Sequence, residues 1–157
     1  MCIAKGIDQL VEQRFDNSCV RMIEKPDFVL VMGAVAVGKT EIRRKKYSSG
    51  YVVLDAAEIF LDLCDGVYHS FPSVFEEPMN VIGEAVAIRA VVEIRNIVCE
   101  VLGEDFDLID PFITAFNNIG YRVNIEAIEC DLEESLRRNE DRGENNISSY
   151  YTHEFHI

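Results

Sequence analysis

Gly33-Ala34-Val35-Ala36-Val37-Gly38-Lys39-Thr40 fits the pattern of a glycine, four residues and then Gly-Lys-Thr. These residue types in this order suit a polyphosphate. Glycines let backbone N–H groups approach phosphate oxygens, and a helix starting near Gly38 adds the positive end of its dipole. Lys39 then reaches the beta and gamma phosphates, and Thr40 offers its hydroxyl to Mg2+. The expected ligands are ATP or GTP together with Mg2+.

Further chemistry is carried by acids and arginines elsewhere. Asp55 and Glu58 follow the apolar run Tyr51-Val52-Val53-Leu54, so they emerge where parallel sheets bind ligands. They are candidates for a general base, a metal shell or a substrate-hydroxyl contact, and equally for a helix cap with an acid three residues on. Asp110 stands before Pro111, either as an outer-shell Mg2+ or substrate acid or as the cap of a helix that Pro111 opens. Arg138 and Arg142, four apart, share a helix face that can clamp a triphosphate; pairing with Glu134 is the alternative. Arg95 falls on the apolar side of a predicted helix, where it pairs with an acid or faces a polar cleft. The basic run Arg43-Arg44-Lys45-Lys46 reads as a solvated last helical turn, its cations complementing the negative helix end. His69 reads as a surface or packing residue, and His-Glu-Phe-His at 153–156 is not a zinc pattern.

The elements that must position these residues follow from periodicity. Ile3, Ile7, Leu10, Val11 and Phe15 recur at helical spacing, within an N-terminal helical extension over residues 1–26. Its apolar stripe packs on the domain's own sheet or offers a surface to a protein partner. A short helical piece is possible from Cys19 to Lys25. Phe28–Met32 reads as a buried strand, Glu41–Tyr47 as a helix closed at Gly50, and residues 51–54 as a second strand. Residues 65–78 look irregular. The longest helix is predicted over Met79–Leu102, with a polar stripe at Arg89, Glu93, Asn96 and Glu100. A short strand over residues 106–110, a helix over 111–118, a half-exposed strand over 121–128 and a lid-like helix over 131–143 complete the chain. The order predicts one α/β domain spanning residues 1–157, three-layered, with a parallel sheet of about four or five strands.

Composition narrows the partners. Against 28 Asp and Glu stand 15 Lys and Arg, a net charge of −13 over 157 residues, which disfavours nucleic acid and membrane surfaces. Five scattered cysteines without Cys-x-x-Cys spacing read as reduced thiols. Neither a signal-peptide core nor a membrane-spanning run is found, and the expected location is cytoplasmic.

With the phosphate loop, the acidic turn after the second strand and the arginine pair after Gly120-Tyr121-Arg122-Val123 in order, the chain resembles the zeta toxin family of P-loop kinases over about residues 27 to 143. The resemblance implies a nucleoside- and shikimate-kinase style parallel sheet. It also implies transfer of the gamma phosphate of ATP onto a sugar hydroxyl, in characterised toxins that of UDP-N-acetylglucosamine. Lys39 and Thr40 match the family's ATP and Mg2+ residues, Arg138 and Arg142 resemble its lid arginines, and Asp110 resembles its substrate-binding acid. Three departures stand out. Ala57 holds the place of the usual catalytic aspartate, before the residue matched by Glu58. The segment joining the third and fourth predicted strands is short, about ten residues. Relatives continue past the lid into another strand and helix. Two functions follow: an ATP-dependent kinase for a small hydroxylated acceptor or nucleotide sugar, with Asp55 as substitute base, or a degenerate nucleotide-binding module acting through a protein partner.

Overall fold

The apolar run before the phosphate loop forms β1 (Asp27–Gly33), buried along its whole length in a computed structural model that describes residues 6–18, 25–34, 36–64, 73–102 and 106–141. Burial on both faces marks an interior strand of a parallel sheet. Four strands pair in the order β2-β3-β1-β4, with β2 at Val52–Leu54, β3 at Ile97–Leu102 and β4 at Arg122–Ala127, every pairing parallel. Helices α1 (Ile7–Gln13), α2 (Lys39–Lys46), α3 (Ala56–Leu63), α4 (Glu76–Val92), α5 (Phe106–Asn118) and α6 (Leu132–Glu140) connect and cover them, with one 3-10 turn at Ser73–Phe75. The expected α/β architecture with a four-stranded parallel sheet is present. As the alternating sequence of residues 121–128 predicts, β4 is an edge strand and half exposed.

Alternation along the strands divides the core. Phe28, Leu30, Met32 and Ile97 point into a large cluster with Ile59, Phe60 and Leu63 of α3 and Ile82, Val86 and Ala90 of α4. Val29, Val31 and Val98 face the other way, against Tyr47, Tyr51 and Ile128, where α2 lies. Leu10 and Phe15 of the N-terminal extension are buried in the large cluster. That part of the stripe packs on α4 and α3 and not directly on the sheet, while Ile7 remains exposed and Ile3 lies outside the described residues. Phe116 stacks on Phe28 with ring centroids 3.7 Å apart, seating α5 on β1.

Two elements differ from expectation. The helix predicted over residues 79–102 ends at Val92, and its last third is β3. The stop is made by Ile94, at φ 53, with the Arg95 N–H donating to the Ala90 carbonyl at 2.8 Å. This left-handed C-terminal cap is normally a glycine's. A β-branched residue there gives the sequence no punctuation, so helix and strand read as one apolar run. Asn96 then latches the strand start. Its Oδ1 accepts from the Asp27 N–H at 2.9 Å and its Nδ2 donates to the Gly50 carbonyl at 3.2 Å, with only 1% of the residue exposed. The segment 106–110, expected as a strand, is instead the start of α5, which buries Ile109 and half-buries Ile113 and Phe116 at helical spacing. Pro111 lies inside this helix and removes one backbone donor. The helical piece expected from Cys19 to Lys25 and the irregular stretch from residue 65 fall largely outside the described residues.

Candidate active site

The phosphate loop leaves β1 at its carboxyl end and feeds directly into α2. Gly33 has φ 154, and a Cβ there would lie 2.7 Å from the Ile128 carbonyl oxygen and 2.9 Å from Val37 Cγ1. Only glycine lets the loop pass this close to the segment after β4. Gly38 caps α2 at φ 102, and Ala36 takes φ 61, so the loop turns through left-handed backbone on the way to the helix. Val35 lies outside the described residues. Lys39 is the first residue of α2, and its buried Nζ donates to the Gly33 carbonyl at 2.8 Å and the Ala34 carbonyl at 2.6 Å. The ammonium is folded over the loop, where a phosphate-binding lysine belongs.

Facing α2 from β3 is Glu100, on the same side of the sheet as Val98 and in register with Val31. Thr40 Oγ1 donates to Glu100 Oε2 at 2.9 Å, and Arg43 Nε donates to Glu100 Oε1 at 2.5 Å. Thr40 and Arg43, three apart on α2, share the face that meets this carboxylate. Arg43 Nη2 donates to Asp55 Oδ2 at 3.3 Å and makes a closer hydrogen bond to Glu58 Oε1. Register explains the convergence: Leu54 pairs with Cys99, so Asp55 leaves β2 level with Glu100. Asp55 Oδ1 caps α3, accepting from the N–H groups of Ala57 at 2.9 Å and Glu58 at 3.4 Å. The cap reading of Asp55 is met by Oδ1, while Oδ2 faces Arg43. From the N-terminal extension Arg14 donates to Glu58 Oε2 at 2.9 Å and also pairs with Asp62.

These contacts set the electrostatics. Burial, and next the Glu100 charge, raise the Asp55 pKa above the ordinary aspartate value, against the pull of Arg43. Burial also works against the Glu58 carboxylate, but hydrogen bonds and charge from Arg43 and then Arg14 outweigh it and hold its pKa down. Arg43 likewise stays charged, because Glu100 and Glu58 overcome its burial.

Arg43 is therefore a correction to the sequence reading. It is not a solvated cation of the last turn but is 3% exposed beneath the loop. Its spacing from Thr40 was the available signal. Glu100, unrecognised while β3 read as helix, is the other missed residue. Arg95 does not reach the site. It precedes β3, at the opposite end of the sheet from the loop, pairs with Glu93 at 2.7 Å and lies over the Phe15 ring. Asp110 is an exposed residue of α5 and not the end of a strand, so the strand-end acid expected there is absent from that position. Arg138 lies on α6, beyond the carboxyl end of β4, with Nε donating to Glu134 Oε1 at 2.7 Å. Arg142 lies outside the described residues.

The zeta toxin family profile matches residues 11–153, which is nearly the whole chain. The chain belongs to the zeta toxin family. No curated protein sequence matches it significantly. Among solved structures, it is similar to a chain of the PezAT chromosomal toxin-antitoxin system of Streptococcus pneumoniae, with 17% identity and a TM-score of 0.68, covering 87% of this chain and 60% of that one. A chain of the AvrRxo1-ORF1:AvrRxo1-ORF2 complex aligns at 20% identity and TM-score 0.62, over 88% of this chain and 50% of that one. A chain of the Pnkp1/Rnl/Hen1 RNA repair complex aligns at 16% identity and TM-score 0.60, over 87% and 48%. The likenesses are of fold, and this chain spans about half to three fifths of those chains' length.

A zeta toxin fold implies nucleotide and metal use, and the residues present fit both. Gly38 leaves open space at the start of α2 where a phosphate can approach, and the Thr40 hydroxyl beside the Glu100 carboxylate is a hard oxygen donor set suited to Mg2+. Among the described residues no group of three or more His, Cys, Asp or Glu side chains forms a cage of its own. Mg2+ that is bound largely through nucleotide phosphates needs none. Among the same residues no helix is long and apolar enough to cross a membrane.

Proposed function

We propose that this zeta toxin family member is an Mg2+-dependent phosphotransferase that moves the gamma phosphoryl group of ATP or GTP onto the hydroxyl of a small acceptor, a nucleotide sugar being one class. The observation that carries the reading is the Thr40–Glu100–Arg43 arrangement beside a glycine-cradled loop. Lys39 exchanges the Gly33 and Ala34 carbonyls for beta and gamma phosphate oxygens. Thr40 donates its proton to Glu100, which leaves the hydroxyl lone pairs free for a cation. When bound, Mg2+ supplies neutralisation of the phosphate charge. Asp55, its pKa raised, accepts the acceptor's hydroxyl proton as the new oxygen–phosphorus bond forms and the bond to the departing nucleoside diphosphate breaks. Arg138 and Arg142 of the lid-like region close on the transferring group. Glu58, paired with Arg14, Arg43 and Arg44, shapes the acceptor side and does not itself take a proton.

The test is a thermal shift with Mg2+-ATP and Mg2+-GTP, followed by transfer of radiolabelled phosphate to nucleotide sugars and a metabolite extract. A nucleotide at a hundredfold excess over its Kd stabilises the fold by about 2.7 kcal/mol, and Lys39→Ala should abolish that shift. An equal shift in the variant would refute the loop assignment. One feature favours a second reading, a nucleotide-binding module acting through a protein partner: Ala57 stands where the family usually has its aspartate. Normal ATP binding without any labelled product would select it.

A further inference from the structure

Resting on the phosphotransferase reading, we infer that Arg43 is a positioning residue that ties the metal-side carboxylate Glu100 to the acceptor-side carboxylates Asp55 and Glu58. Three acids from three separate elements, β3, the end of β2 and α3, converge on one guanidinium supplied by the helix of the phosphate loop. Two different nitrogens of the fork are used. Nε serves Glu100, while one terminal nitrogen serves Asp55 and Glu58. A lysine ammonium carries the same charge but is a single point on a flexible stem and cannot hold both sides at once.

The consequence reaches the Thr40 hydroxyl. Glu100 is held by two donors, one on each oxygen, and the Thr40 proton points at Oε2 only while Arg43 holds Oε1. Releasing Arg43 frees the carboxylate to rotate, and the lone pairs of Thr40 lose their orientation toward a cation. Residues that orient metal ligands in this way commonly govern metal affinity by about 10- to 100-fold. Arg43 itself need touch neither nucleotide nor cation. Its own burial fits this role, since a residue 3% exposed among three carboxylates is placed to brace the site and not to sweep over a substrate.

The experiment measures ATP affinity by calorimetry with and without Mg2+ across the parent chain, Arg43→Lys and Glu58→Gln. Arg43→Lys should leave Mg2+-free ATP affinity nearly unchanged, because Lys39 and the loop amides remain. It should raise the Mg2+ concentration needed for half-maximal tightening by about tenfold or more. Glu58→Gln keeps Arg43 and lies outside the metal donor set, yet it should raise that concentration too, because one anchor of the fork and one nearby negative charge are lost. It decides the matter if Arg43→Lys does not fold. Parental Mg2+ dependence in folded Arg43→Lys, or in Glu58→Gln where the lysine variant fails, would overturn the positioning role while leaving nucleotide binding intact. No ATP binding by the parent chain would instead overturn the nucleotide reading, and this inference with it.

Discussion

Gly33→Ala tests whether the loop owes its path to contact with the segment after β4. The added methyl carbon would sit 2.7 Å from the Ile128 carbonyl oxygen, about 0.7 Å inside the 3.4 Å at which ordinary contact begins. The second close atom, Val37 Cγ1 at 2.9 Å, is a side-chain end that can swing away. Ile128 cannot, because its N–H donates to the Met32 carbonyl at 2.8 Å and continues the β1–β4 ladder. Overpacking of this kind costs about 1–3 kcal/mol, and backbone at φ 154 adds a similar strain for an L side chain, so we expect a loss of about 2–5 kcal/mol. At about 2–4 °C per kcal/mol for a chain of this size, the melting temperature should fall by roughly 5–15 °C. Gly38→Ala is the matched control. Its φ of 102 is equally unsuited to alanine, but nothing lies within 4 Å of the new methyl, so only the conformational part remains. Melts followed by circular dichroism, paired with ATP titrations, separate the two. A Gly33→Ala protein melting within about 1 °C of the parent, or a larger loss in Gly38→Ala, would refute the contact argument.

Asp55→Asn should leave nucleotide binding nearly intact and lower phosphoryl transfer by about 10^2 to 10^4, while Ala57→Asp should raise transfer; both are read in the radiolabel assay. Asn96→Ala strands the Asp27 N–H and the Gly50 carbonyl, each a buried group worth about 1–3 kcal/mol, and chemical denaturation should find a loss of about 2–4 kcal/mol. Arg138→Ala should weaken nucleotide binding or transfer, with Lys rescuing poorly because it lacks the fork; equal behaviour in a titration would leave Arg138 a surface ion pair. Hydrogen bonds from Arg137 and then Arg138 depress Glu134 to a pKa of about 2, so its hold on them is complete above the ordinary value of 4.5 and is lost as pH falls toward 2. Carboxyl NMR should find Glu134 titrating well below 4.5.

Sequence signals were sufficient where one short stretch carried the whole cause. The glycine–lysine–threonine spacing, the apolar run of β1 and the Asp55 cap on α3 each arise within a few residues, and each lies where its pattern placed it. The boundary between α4 and β3 failed because its determinant is tertiary. Ile94 adopts φ 53 while Tyr121, through hydrogen bonds at 3.2 Å and 2.9 Å to the Ala90 and Arg95 carbonyls, closes the turn from the far side. No local propensity announces an isoleucine there. Read as one element, the two also place the third strand at residues 106–110 and a strand-end acid at Asp110.

Once β3 is set between β2 and β1, the acid of the site can be argued from the backbone. Thr40 follows the loop that leaves β1, so a partner on a neighbouring strand must lie near that strand's carboxyl end and point toward α2. In β3 Glu100 shares Val98's face by alternation and is the polar residue on it. A carboxylate in that position, covered by α2, needs a buried cation. One helical turn beyond Thr40 the same face presents Arg43, and the acidic turn after β2 comes within reach of its second edge. The run of four basic residues thus divides by direction. Arg43 faces inward to three carboxylates and Lys46, one turn on along the same face, pairs with Glu126 of β4, while Arg44 and Lys45 are exposed, Arg44 lying 3.6 Å from Glu58. Helix periodicity makes that division, but only after strand order has established which side of α2 is the inside.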